Sequence, residues 1–102
     1  MDIPYMPLGH IKDMLSEIHL DVSHFYEDLI FVESNAFLIQ MGEQGKDITV
    51  YFNVDSTDIA TIVSDLSNVA ARVGFDISWG GKFELVQKDD NQVDVRFLPE
   101  NP

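Results

Sequence analysis

Residues 55–74 read DSTDIATIVSDLSNVAARVG, the one long helix that the sequence specifies clearly. Ile59, Ile62, Val63, Leu66, Val69, Ala70 and Val73 recur at the i, i+3, i+4, i+7 spacing of a single buried helical face. Asp55 or Ser56 offers a short side-chain oxygen to the free N–H groups of the first turn. Asp58 near the start and Arg72 near the end suit the helix dipole, and Gly74 stands where a left-handed C-cap residue is wanted. Strand-like segments lie on both sides of this helix, so its apolar face must cover them.

Upstream, Leu8, Ile11, Met14, Leu15 and Ile18 mark a first amphipathic helix over 8–19, preceded by an irregular lead-in, 1–7, with two prolines. Residues 20–27 fit either an extended connection or a short strand. Segments 29–32, 36–41 and 48–54 read as three strands of an antiparallel meander, with turns at 33–35 and 42–46. Downstream, 75–79 and 82–88 read as two strands about a tight hairpin turn at Gly80-Gly81. Asp89-Asp90-Asn91 turns the chain into a last strand, 92–97, and 98–102 is a tail. At 102 residues the chain is read as one domain, which at this size buries roughly 65% of its unfolded surface. The fold class is α+β: a two-layer sandwich of a mainly antiparallel or mixed five- to six-stranded sheet with two helices on one face, in the order α-β-β-β-α-β-β-β. The step from 48–54 through the long helix to 75–79 suits a parallel crossover, which would make the sheet mixed.

The alternation assigns faces. Ile48, Val50, Phe52 and Val54 share one, as do Phe75, Ile77 and Trp79, and Val93, Val95 and Phe97, with mainly polar alternates. This describes a sheet covered on one side and wet on the other. The first two strands break the pattern, because Leu29 and Phe31 oppose Ile30 and Val32, and Phe37, Ile39 and Met41 oppose Ala36 and Leu38. Some apolar side chains must then lie on the far side, and Ile30, Val32, Leu38 and Tyr51 are read as a partner surface there. On that reading Leu38→Asp abolishes association and leaves the monomer folded.

Eighteen acidic residues against six basic ones give a net charge of −12. Between Asp13 and Gln44 there is no Lys or Arg, and Asp13, Glu17, Asp21, Glu27 and Asp28 crowd that segment. Such a surface repels nucleic acid and anionic membranes and attracts a basic protein partner. The basic residues are scattered singly, which argues against direct nucleic-acid binding. The chain has no cysteine, so disulfides, thiolate nucleophiles and Cys-ligated metals are excluded. The N-terminus has no basic segment leading a long apolar run, and no apolar stretch approaches a membrane span. The expectation is a cytoplasmic protein.

Chemistry-bearing motifs are sparse. His10, Asp13 and Glu17 share one face of the first helix and are competent to hold a divalent metal if a further ligand joins them, the basis of an alternative reading as a small metal-dependent enzyme. Solvated charges on a helix face are the ordinary explanation, and no metal or cofactor is expected. His19 and His24 flank an acidic segment and read as histidines without a chemical task. Trp79 reads as a core residue at a strand end, with an exposed partner anchor as its other reading. Nucleophile elbows, phosphate-binding loops, dinucleotide fingerprints and His-Glu-x-x-His are all missing.

The element order of helix (8–19), three strands (29–32, 36–41, 48–54), helix (55–73) and strands (75–79, 82–88) resembles the class I type III secretion chaperones. Those are small acidic homodimers that hold an effector segment, so the resemblance implies a homodimer and a binding role. That family ends in a third helix, where Gln92 to Phe97 here reads as a strand. The functional reading is a non-enzymatic acidic interaction module of chaperone, inhibitor or adaptor type. The partner contact is placed on Asp13, Glu17, Asp21, Glu27, Asp28, Ile30, Val32, Leu38 and Tyr51. A homodimeric structural domain is the other alternative.

Overall fold

A computed structural model describes residues 7–33, 36–89 and 92–98 of the chain. Two helices, α1 (Leu8–Glu17) and α2 (Ile59–Val73), accompany six strands: β1 (Val22–Tyr26), β2 (Leu29–Val32), β3 (Phe37–Met41), β4 (Asp47–Asn53), β5 (Asp76–Asp89) and β6 (Gln92–Leu98). The strands lie side by side in chain order in one six-stranded sheet. Every neighbouring pair is antiparallel except β4 and β5, which run parallel across the α2 crossover. The α+β class, the two-helix count and the mixed sheet follow the sequence reading. The order does not: it is α-β-β-β-β-α-β-β, with one more strand before α2 and one fewer after it.

The extra early strand is β1, which pairs with β2 through a two-residue turn at Glu27-Asp28. The missing late strand follows from Gly80-Gly81. This pair does not turn the chain; β5 runs straight through it as fourteen continuous residues. Val50 pairs with Trp79 and Tyr51 pairs with Gly81, so Gly80 is an extra residue, a β-bulge. Both glycines are required there. Gly81 has φ +104°, and a Cβ on Gly80 would lie 2.3 Å from Cε2 of Tyr51 and 2.8 Å from Cγ2 of Thr49.

A bulge shifts side-chain parity by one, and this decides the architecture. Before it, Ile77 faces the helices with Ile48, Val50 and Phe52. After it, Phe83 and Leu85 face the opposite side, and their β6 partners Phe97 and Val95 go with them. The sheet therefore has two apolar faces. On one, Ile11, Met14 and Leu15 of α1 and Leu66, Val69 and Ala70 of α2 pack over Ile30, Val32, Phe37, Ile39, Val50 and Phe75. On the other, the sheet curls into a half-barrel around Phe31, Leu38 and Phe83, backed by Leu29, Tyr51, Leu85 and Val95. The rings of Phe31 and Phe83 meet edge to face at 6.5 Å. The assignment of Val93, Val95 and Phe97 to the helix-covered face is thus corrected, because Gly80 reverses the parity it assumed.

The helix ends differ from the sequence reading in one place. At the C-terminus Gly74 adopts φ +108° and donates to the carbonyl of Ala70 at 2.8 Å. At the N-terminus α2 begins at Ile59, with Asp58 in a left-handed conformation and no side-chain cap. Asp55 and Ser56 are spent on the exit from β4 instead: the Asp55 N–H donates to Oδ1 of Asn53 at 2.9 Å, and the Ser56 N–H donates to the Asn53 carbonyl at 2.9 Å. The lead-in up to residue 6, residues 34–35 and 90–91 of the expected turns, and the tail from 99 lie outside the described residues.

Urea denaturation tests the two-core arrangement. Leu38→Ala, in the half-barrel core, is expected to cost about 2–5 kcal/mol. Gly80→Val is expected to cost about 1–3 kcal/mol by forcing Tyr51 and Thr49 aside. An unchanged midpoint for Gly80→Val would mean that the bulge does not constrain the sheet.

Candidate functional site

The half-barrel core does not fill the concave face completely. Between the β1–β2 hairpin and the β5–β6 hairpin lies a cleft of about 370 Å³, lined by His24, Tyr26, Leu29, Phe31, Leu85, Val93 and Val95. Each wall has a cause in the register. Tyr26 stands opposite Leu29 and His24 opposite Phe31, which puts both side chains of β1 on the concave side. Leu85 stands opposite Val95 and Gln87 opposite Val93 on the other wall. A second bulge, between Val22 and His24, lets β1 send Val22 to the helix side while His24 and Tyr26 face the cleft.

The lining is mostly apolar with two polar groups, the usual make-up of a binding cleft. The His24 and Phe31 rings are 6.1 Å apart. Tyr26 is 62% exposed and Val93 52% exposed, so large apolar surface reaches solvent at the cleft rim. Beyond the cleft, Phe97 packs against Tyr51 with ring centroids 4.5 Å apart and ring planes tilted by 52°, and is still 42% exposed.

Of the residues assigned to a partner surface from sequence, the structure divides three ways. Ile30, Val32 and Leu38 are fully buried, the first two under the helices and Leu38 in the half-barrel core. They present no surface, and the expectation that Leu38→Asp spares the fold is overturned: a carboxylate there would be desolvated without a partner. Asp28 and Tyr51 are brought together by Gln40, whose Nε2 donates to Oδ2 of Asp28 at 3.2 Å and whose Oε1 accepts from the Tyr51 hydroxyl at 3.4 Å. This chain borders the concave face, because Gln40 lies opposite Leu29. Glu27 sits exposed in the adjoining turn with φ +54°, and Asp21 is exposed in the link before β1. Asp13 and Glu17 are elsewhere, on α1 in the helix layer.

The proposed metal triad does not assemble. Glu17 accepts from Arg72 at 2.7 Å, which ties α1 to the end of α2. Among the described residues no three His, Cys, Asp or Glu side chains converge on a metal position. The Glu17–Arg72 pair is largely exposed, so its contribution is about 1 kcal/mol or less. A larger, shallower hollow at the start of α2 is lined by Glu33, Asp55, Asp58 and Asp65 among others and has no cation-binding geometry. No buried polar or charged side chain occurs among the described residues, and no helix there is long and apolar enough to cross a membrane. Trp79, at the rim of the helix layer, stacks on Phe52 with centroids 6.2 Å apart while 38% exposed, part-way between the core and anchor readings.

Comparison of the chain with protein-family models, with curated proteins and with solved structures returned no match. The cleft residues His24, Tyr26, Leu29, Phe31, Leu85, Val93 and Val95 were missed by the sequence reading. The signal for two of the seven was present, since Leu29 and Phe31 oppose Ile30 and Val32. Leu85, Val93 and Val95 required knowing that Gly80 is a bulge, and His24 and Tyr26 required knowing that 22–26 is a strand.

The metal alternative has a direct check. Addition of zinc or magnesium ions is expected to shift the melting temperature of the wild type and of the His10→Ala, Asp13→Ala, Glu17→Ala triple variant equally. Stabilisation of the wild type alone would restore the triad, because a ligand that binds only the native state raises its stability.

Proposed function

We propose that this protein is a non-enzymatic acidic binding module whose concave cleft receives an apolar side chain from a basic protein segment. The observation that carries the reading is an open, apolar cleft rimmed by exposed Tyr26 and Val93 in a chain of net charge −12. Carboxylates at Glu27 and Asp28, in the turn next to Tyr26, provide the nearest acidic rim. In this scheme the charge speeds and orients encounter, and the cleft supplies affinity by removing apolar surface from water. The acidic residues of the sequence reading keep their steering role, and the apolar role passes from Ile30, Val32 and Leu38 to the cleft. A chaperone-type role, holding an extended segment of another protein, is compatible with such a cleft.

Selection from a displayed random-peptide library tests this. Selected peptides are expected to carry Lys or Arg around one large apolar residue, and to bind more weakly as salt rises. Tyr26→Ser, at an exposed position, is expected to weaken them at least tenfold, about 1.4 kcal/mol. Peptides that perturb amide signals only outside β1, β2, β5 and β6, or that bind Tyr26→Ser equally, would overturn the assignment of the cleft.

A further inference from the structure

The sheet has two free edges, and they are not alike. β1 is five residues long and is broken by the bulge near Ser23, a feature that discourages further pairing. β6 is seven residues long and stays in unbroken register with β5 from Val93 to Leu98. Its outer edge offers a regular row of backbone donors and acceptors. Two of its apolar residues, Val93 and Phe97, are half exposed.

The central five residues of β6, VDVRF (93–97), are self-complementary when reversed about Val95. An antiparallel copy placed on that axis sets Val95 against Val95, Asp94 against Arg96 and Val93 against Phe97. Directly opposed side chains in antiparallel strands interact, and opposite charges or apolar pairs in those positions are favourable. All three kinds of pair are of the favourable type, and each off-axis pair occurs twice by symmetry. Within one chain Arg96 already meets Glu84 at 3.4 Å and Asp94 meets Lys88 at 3.7 Å. A second strand would extend these pairs into a row of alternating charge across the junction. On the concave side, Val93 and Phe97 would cover each other's exposed surface.

Net charge points to the same edge. The segment 82–98 holds three of the six basic residues and four of the eighteen acidic ones, so it is close to neutral while the remainder of the chain is strongly acidic. An acidic protein that meets its own copy is repelled least there.

We infer that β6 is a self-association edge: a second copy pairs β6 to β6, antiparallel and centred on Val95, to form one continuous twelve-stranded sheet. Such isologous contacts are the commonest route to dimers. The edge shares Val93 and Val95 with the cleft lining, and Tyr26, on the opposite edge of the sheet, separates the two readings.

The absence of native cysteine allows a clean test. Val95→Cys, alone, is expected to form a covalent dimer under mild oxidation, well faster than Ser67→Cys, an exposed α2 position that sets the collision rate. Val93→Cys and Phe97→Cys are expected to cross-link when mixed and not when each is alone. In sedimentation, the wild type is expected to show the mass of a dimer at about 100 µM, well above the micromolar dissociation constants of modest interfaces. Arg96→Glu, at an exposed position, is expected to weaken the dimer at least tenfold, and Tyr26→Ser to leave it unchanged. A wild type that sediments as a monomer throughout that range would overturn the inference. So would a dimer in which Val95→Cys cross-links no faster than Ser67→Cys.

Discussion

The molecule depends on one extra residue in the middle of its longest strand. Gly80 has no opposite number on β4, and from that point the side chains of β5 change sides. The helix layer therefore receives Ile77 but not Phe83 or Leu85. Those two large residues need cover, and the sheet provides it by curling onto itself around Phe31 and Leu38. Without the bulge, alternation would carry Phe83, Leu85 and Val95 toward the helices and leave Phe31 and Leu38 facing water. Each such side chain is worth roughly 1.5–3 kcal/mol on burial, a large share of the margin by which small domains are stable.

The cleft is a by-product of that curl. A six-stranded sheet that closes only halfway brings its first and last hairpins near one another without joining them, and the space between stays open to solvent. Its walls are apolar because they continue a core. Its rim carries carboxylates because the turn that joins β1 to β2 is Glu27-Asp28. Fold and candidate site are thus one construction, and the two edges of the sheet decide what else the protein can touch.

Much of the fold was legible. The 3.6-residue periodicity of α1 and α2, the Gly74 cap and the alternation of β4 are local signals, and local signals survive folding. Three features were not legible, each for a physical reason. Residues 22–26 mix polar and aromatic side chains because they occupy an edge strand, so they lack the pattern of a strand with one buried face. A Gly-Gly pair is ordinary in a hairpin and ordinary at a bulge, and only the register with β4 separates the two. Asp55 and Ser56, the expected caps, are held by their backbone N–H groups in the turn at Asn53, a competition that propensity alone does not resolve. The candidate site suffered from an assumption about layers. Strands with apolar residues at consecutive positions, as in β2 and in 37–39 of β3, are covered on both faces, and Ile30, Val32 and Leu38 belong to interiors.

The parallel pairing of β4 with β5 also bears on how the chain reaches this state. β1 to β4 form a meander whose neighbours are joined by short turns, and β5 with β6 forms another near-local hairpin. Both halves can collapse cheaply, since short loops lose little entropy on closing. Their union is different in kind: β5 finds β4 only after α2 has spanned the distance between them, with no tight turn to guide the register. Contacts of that separation slow folding. Until they form, the later half exposes Phe83, Leu85 and Val95 with nothing to pack against, so the two-faced sheet that stabilises the finished protein is also the source of its most aggregation-prone stage.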